Sequence, residues 1–347
     1  MVVPDICPRE REFTDLLKQL ALDLKQIVNS NSSYRTVFFS GSGTSVMDAC
    51  INSVVPFGKK IAIINNGAYG ERMVNIAKSY RISYVEIATE WGKSPDLEMI
   101  QRILERDLNI TCLAMVHHET STGMLNPLRA VGKIAKKNKC TFIVDAISSF
   151  AGIPINVGDS KIDYLLATAN KCLHGLPGIA FVICRYKALQ KIRNYMPRSY
   201  YLNLYQQHAF YEKTGQIQFT PPVQVIYALR EAVNDYFKIG AEERFERYKK
   251  KWTILRKGLN DLGFRFLLDE NDESQLLLTV YDPGHPNFNY DRLHDLLYEK
   301  GFTIYPGKLK EKKTFRLAVI GEIDEKDIKN FLTALKESMV DMGVILT

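Results

Sequence analysis

The chain has no Cys-x-x-Cys pair, no histidine-rich ligand set, no apolar run long enough to span a bilayer and no low-complexity tract. Each absence excludes a class of function. The six cysteines, Cys7, Cys50, Cys112, Cys140, Cys172 and Cys184, stand singly. Neither a zinc site nor a redox dithiol is expected from them, and they read as reduced thiols of a cytoplasmic protein. The opening MVVPDICPREREF carries charge where a secretory signal needs an apolar stretch, and nothing downstream resembles a membrane span. Charge is only mildly one-sided, with 46 basic against 39 acidic residues and a net of +7. The short basic clusters at Lys136-Lys137, Lys249 to Lys251 and Lys308 to Lys313 sit among acidic neighbours. They read as solvated helix faces and loops, and no nucleic-acid motif accompanies them.

What remains is a soluble chain of ordinary composition, 46% hydrophobic and 24% charged over 347 residues, which suits one large domain and one smaller domain. Apolar residues at helical spacing predict a helix from Glu12 to Val28, and a strand follows at Thr36 to Phe39. The strand runs into Gly41-Ser42-Gly43-Thr44 and a helix at Ser45 to Val54. The alternation continues with strands at Lys60 to Ile64, Tyr84 to Ile87, Cys112 to Val116 and Thr141 to Asp145, and helices at Glu71 to Tyr80 and Asp96 to Glu105. Strands separated by helices form a mostly parallel sheet covered on both faces, whose ligands bind at the carboxyl ends of the strands.

After Asp163 only a Gly/Pro turn separates a strand at Tyr164 to Ala167 from one at Ile179 to Cys184, so this pair must be antiparallel. A long helical stretch is expected from Pro221 to about Leu262. Apolar segments near Gln275 to Tyr281, Thr303 to Ile304 and Thr314 to Leu317, with helices at Tyr290 to Lys300 and Glu325 to Met342, form a small α+β domain. The division is expected as residues 1–230 and 231–347.

Three segments carry candidate chemistry. The glycines of Gly41-Ser42-Gly43-Thr44 let backbone approach an anion at a helix N-terminus, where Ser42 and Thr44 offer hydroxyls. A dinucleotide fingerprint would need a third glycine where Val46 stands, which counts against a nicotinamide dehydrogenase. Asp145 ends an apolar strand, where a partly buried carboxylate calls for a cation such as a pyridinium nitrogen, or else serves as a helix N-cap. Lys171 lies between the strand ending at Thr168 and a glycine-rich turn, a setting in which a lysine can act as a nucleophile toward an aldehyde.

The stretches FFSGSGTSVMDA, INNGAYGERM, HHETSTGMLNPL, IVDAISSFAGIPI, DYLLATANKCLHGLPGIAFVI, QFTPP and FTIYPGKLKEKKTFRLAVIGEI, in that order, resemble the 2-aminoethylphosphonate:pyruvate aminotransferases, from about Asp5 to the C-terminus. The resemblance implies the class V branch of the fold-type I pyridoxal-phosphate transferases, with a large α/β domain built on a mostly parallel seven-stranded sheet. It also implies transamination of 2-aminoethylphosphonate with pyruvate. Lys171 would form the Schiff base to pyridoxal 5'-phosphate and Asp145 would pair with the pyridine nitrogen. Ser42, Gly43, Thr44 and Thr168 would hold the phosphate, Tyr69 would stack on the ring, and Thr120 would lie near the ring hydroxyl. Thr220 would reach the phosphate of a neighbouring subunit, making a homodimer with shared sites. Arg316 would bind the acidic group of the substrate.

His117, His118 and His174 are not assigned a catalytic role, because the released lysine is itself the base that moves the proton. Cysteine desulfurases of the same class carry a histidine just before their lysine, where this chain has Asn170. Family members have a further N-terminal segment whose apolar-Gly-Pro motif lines the substrate pocket, and Met1 stands just beyond where it would end. The alternatives are therefore another class V aminotransferase, of the alanine:glyoxylate or serine:pyruvate type, and an inactive truncated homologue.

Overall fold

A computed structural model describes residues 6–307, 309 and 312–344. Residues 1–5 of the N-terminal stretch, and Lys308, Lys310 and Glu311 of the basic cluster, lie outside the described residues. The chain opens with α1 (Arg11–Ile27), whose Phe13, Leu17, Leu20, Leu24 and Ile27 turn one apolar stripe inward. Then come β1 (Tyr34–Gly41), α2 (Gly43–Val54), β2 (Lys60–Asn65), α3 (Ala68–Ser79), β3 (Ser83–Ala88), α4 (Leu97–Arg106) and β4 (Ile110–Val116). A small hairpin of β5 (His118–Glu119) and β6 (Met124–Leu125) precedes α5 (Leu128–Lys137), β7 (Thr141–Asp145), β8 (Tyr164–Thr168) and β9 (Gly178–Arg185). Two further helices, α6 (Tyr186–Lys191) and α7 (Leu204–Thr214), lead to α8 (Val223–Ile239).

The seven large strands form one sheet in the order β1-β9-β8-β7-β4-β2-β3. Only β9 runs against its neighbours; the remaining pairs are parallel. The carboxyl ends of β1, β2, β4, β7 and β8 therefore meet at one edge, which Gly41, Asn65, Val116, Asp145 and Thr168 define. The central strands are buried on both faces, which is why they read as continuous apolar runs. Helices α1, α4, α5 and α8 pack on one face and α2, α3 and α6 on the other, while α7 contributes to both, with Tyr211 to the first and Leu204 to the second.

The C-terminal part comprises α9 (Ala241–Asp261), β10 (Leu277–Tyr281), α10 (Tyr290–Glu299), β11 (Tyr305–Pro306), β12 (Thr314–Ala318) and α11 (Glu325–Asp341). Its three strands form an antiparallel sheet in the order β10-β12-β11. Its core takes in Ile153 and Cys172 from the large sheet's connections, so the two parts share apolar contact near Lys171.

Two sequence expectations are corrected. The helical stretch after Pro221 is two helices, because Gly240 adopts φ 87°, a conformation an α-helix cannot contain. The strand expected at Thr303 to Ile304 lies two residues later, at Tyr305–Pro306, where the backbone pairs with β12. Helices α5, α6 and α7 and the hairpin β5–β6 were not anticipated individually.

Candidate active site

At the end of β1, Gly41 has φ 142°, a region open to glycine, and the chain turns there into α2 with Ser42 at its N-cap. A Cβ on Gly43 would stand 2.8 Å from Ile147 Cδ1, so a larger residue there would push that side chain aside. Thr44 Oγ1 accepts a hydrogen bond from Arg72 Nη1 at 3.1 Å. The guanidinium of Arg72 lies 4.7 Å from the ring centroid of Tyr69, so one cation bridges the glycine turn and the aromatic residue.

Asp145 is 3% exposed at the tip of β7. One carboxylate oxygen accepts the Ile147 N–H at 2.8 Å, and no ion pair reaches the group among the described residues. Burial pushes its pKa up to about 7; the Ile147 hydrogen bond, Arg72 and Lys171 work against that rise, and Glu119 adds to it. A buried carboxylate without an ion pair among the described residues favours a cation beside it. A protonated ring nitrogen supplies one.

The start of α3 is fixed by a second buried acid that sequence reasoning missed. Glu119 is fully buried, and one of its oxygens accepts the N–H groups of Tyr69 (3.1 Å) and Gly70 (3.2 Å), while the other accepts from Ser121. The carboxylate thus caps the helix whose first turn carries Tyr69. A Cβ on Gly67 would run into the Glu119 carboxyl. The only sequence trace of this lock is the glycine spacing in NGAYG.

Lys171 follows β8 by three residues, and its Nζ makes no hydrogen bond or ion pair among the described residues. Thr168 is buried, and its hydroxyl lies within hydrogen-bond reach of Asn170 Oδ1 (3.0 Å) and the Ile179 carbonyl (3.1 Å), securing the strand end. The turn closes with the N–H of His174 donating to the Lys171 carbonyl at 2.9 Å.

From the C-terminal part, β12 brings Arg316 against the β5–β6 segment. Its Nη1 donates to the Thr120 carbonyl at 3.0 Å and its Nε to the Pro306 carbonyl at 3.0 Å. Arg316 is 8% exposed and forms no carboxylate ion pair among the described residues. Thr120 is therefore placed beside Arg316, itself buried. Thr220 stands apart: it is exposed on the chain between α7 and α8 and hydrogen-bonds to none of the other candidates.

His117 Nδ1 pairs with Ser149 Oγ at 2.9 Å, and His118 Nδ1 with the Ser148 carbonyl at 3.1 Å. Burial pulls their pKa values down to about 3 and about 4, so both rings are neutral near pH 7. His118 Nδ1 must then carry its proton, which leaves Nε2 as a buried lone pair with no protein partner. Both imidazoles are therefore weakly basic.

An anion cup beside an aromatic face, a buried carboxylate in want of a cation and a nearby lysine together fit a phosphorylated pyridine aldehyde. The chain matches the class-V aminotransferases over residues 5–308. It is 36% identical over 331 residues to the 2-aminoethylphosphonate–pyruvate transaminase of Lysinibacillus sphaericus (strain C3-41), covering 95% of this chain and 89% of that protein. To the enzyme of the same name from Syntrophobacter fumaroxidans (strain DSM 10017 / MPOB) it is 35% identical, covering 99% of this chain and 93% of the relative. Among solved structures it resembles the ureidoglycine-glyoxylate aminotransferase of Bacillus subtilis, with TM-score 0.90, 25% identity and coverage of 99% of this chain and 89% of the other. The chain therefore belongs to the class-V aminotransferase family.

Proposed function

We propose that this protein is a pyridoxal-phosphate-dependent transaminase that takes the amino group of 2-aminoethylphosphonate, releasing phosphonoacetaldehyde, and passes it to pyruvate to give alanine. The observation that carries the chemistry is Asp145, a buried carboxylate with no ion pair among the described residues, at the same sheet edge as the Lys171 turn. The names of the relatives carry the choice of substrates.

When bound, the cofactor supplies an electron sink for the carbon next to the amine. The chain's own residues do the rest. Asp145 would keep a proton on the ring nitrogen, and the turn of Ser42, Gly43 and Thr44 would hold the phosphate together with Thr168. Tyr69, whose backbone N–H the Glu119 carboxylate fixes, would cover one ring face, and Thr120 would lie near the ring hydroxyl. Lys171 would be the residue that holds the cofactor aldehyde, and its free Nζ would be the base that takes the proton from the donor carbon and delivers it to the cofactor carbon, regenerating the neutral amine. Arg316 clamps the phosphonate of one substrate and the carboxylate of the other, since a guanidinium fork serves both.

Two subunits share their sites in this reading, Thr220 reaching the phosphate held by the partner, and the protein works in the cytoplasm. The described residues contain no helix long and apolar enough to cross a membrane. Residues 1–230 form the cofactor domain and 231–347 the smaller one.

The test incubates purified, cofactor-loaded protein with 2-aminoethylphosphonate and pyruvate, with alanine and glyoxylate alongside, and measures alanine and aldehyde. Formation of alanine only with the phosphonate amine supports the reading. Turnover only with alanine and glyoxylate transfers the protein to another branch of the class, and no turnover with any pair rejects a transaminase.

A further inference from the structure

Arg244, Tyr248 and Lys251 lie four and three residues apart on α9, so they share one face of that helix, and all three are buried. Tyr248 Oη stands 2.6 Å from His174 Nε2. Burial pushes the phenol well up and the imidazole down to about 4, so the pair is a phenol and a neutral imidazole. The tyrosine hydroxyl donates, Nε2 accepts, and the remaining ring proton sits on Nδ1, which faces a Glu322 carboxylate oxygen at 3.7 Å. His174 has φ 65°, a left-handed conformation that a non-glycine residue adopts only when its surroundings enforce it. Its own N–H closes the Lys171 turn.

One turn further along the same face, Lys251 Nζ donates to the carbonyls of Gly321 (3.3 Å) and Ile323 (3.1 Å). That stretch directly follows β12, the strand bearing Arg316. Arg244 completes the face, its guanidinium 5.5 Å from the ring centroid of Tyr236 on α8. A single helical stripe is thus bonded on one side to the segment carrying Lys171 and on the other to the segment carrying Arg316.

We propose that this stripe of α9 fixes the separation between Lys171 and Arg316, and thereby the length of substrate the enzyme accepts. Tyr248 and His174 are positioning residues. The inference rests on the transaminase reading, in which a donor is gripped at its acidic end by Arg316 and reacts at its amino end beside Lys171. A donor with one more methylene between amine and phosphonate fails because the two anchors cannot separate. Without the Tyr248 hydroxyl, the Lys171 turn gains that freedom.

The experiment compares wild type, Tyr248→Phe, His174→Gln and His174→Ala as cofactor-loaded enzymes, with 2-aminoethylphosphonate and 3-aminopropylphosphonate as donors and pyruvate as acceptor. Tyr248→Phe is expected to lower the ratio of kcat/KM for the short over the long donor by about three- to tenfold, the range of one lost hydrogen bond. His174→Ala should do the same, and His174→Gln, whose amide oxygen can still accept, should restore part of the ratio. Amide exchange in residues 168–178 of the cofactor-free protein should quicken in Tyr248→Phe. An equal loss on both donors together with a lowered Tm would make the stripe merely structural and overturn the proposal, as would an unchanged ratio. If wild type turns over neither donor, the aminophosphonate reading fails separately, and unchanged amide exchange in Tyr248→Phe would then refute the coupling by itself.

Discussion

Replacing Asp145 by Asn should stabilise the cofactor-free protein at alkaline pH and weaken cofactor binding at the same time. The carboxyl pKa is about 7 in the fold against 3.8 for the ordinary group. Between those values the native state holds a proton that the unfolded chain has released. Wild-type stability therefore falls as pH rises from about 4 through about 7, the reverse of the usual salt-bridged aspartate. At 1.36 kcal/mol per pH unit the full penalty above pH 7 is about 4 kcal/mol, and the part added between pH 5 and pH 8 is about 3 kcal/mol. Asn keeps the acceptor for the Ile147 N–H and carries no charge to bury. Urea unfolding of both cofactor-free proteins at pH 5, 6, 7 and 8 measures the gap, which should widen with pH in favour of Asn. His117 and His118 run the other way, costing stability as pH falls below 6.5, but they are common to both proteins and cancel in the difference. Loading with pyridoxal phosphate should erase the advantage of Asn, because the ring cation then neutralises Asp145 in wild type. A gap that stays constant across this pH range would refute the argument that Asp145 is a buried charge awaiting a partner.

Lys171→Ala should abolish turnover and the absorbance band of the lysine-bound cofactor, while leaving the urea midpoint of the cofactor-free protein near wild type. Arg316→Ala should reduce kcat/KM for both acidic substrates by about a hundredfold, as expected for the loss of a charge-assisted pair worth roughly 3 kcal/mol; equal activity on ethylamine-like donors lacking the acid group would confirm the assignment in steady-state assays. Gly67→Ala forces its methyl against the Glu119 carboxyl and should cost about 1–3 kcal/mol in thermal unfolding, with weaker cofactor binding from a displaced Tyr69. Mixing Lys171→Ala with Thr220→Ala subunits should yield, in heterodimers, one site with both defects and one with neither. Recovery of activity on mixing would support shared sites, and none would argue that Thr220 serves its own subunit.

The α/β order and the site edge were legible because the physics is local and periodic. Parallel strands buried on both faces show as unbroken apolar runs, and the Gly/Pro turn after Lys171 forced the antiparallel β9. The break at Gly240 escaped because glycine within a helical pattern is tolerated often enough that its φ is not written in the neighbours. Asp145, Lys171 and the glycine turn were read from segments that each end a strand. Glu119 and Arg72 were not, since each acts on partners about 28–50 positions away: a buried acid capping a distant helix leaves no spacing to detect. The stripe on α9 was hidden for the same reason. Lys249 to Lys251 looked like a solvated run, yet Lys251 is 6% exposed and spends its ammonium on two carbonyls.

The cysteines acquire a use from where the fold puts them. Cys7 is exposed, and the other five are buried with thiols that burial pushes above their ordinary range. A native molecule should therefore consume one equivalent of an alkylating reagent quickly and the remainder only as it opens. Cys172 adjoins Lys171 and its Sγ donates to the Ser148 carbonyl at 3.4 Å, so it can react only when that turn lifts from the segment after Asp145. The mass of a second adduct, mapped to Cys172 over time, becomes a built-in clock for how often the lysine-bearing loop breathes, with and without cofactor in place.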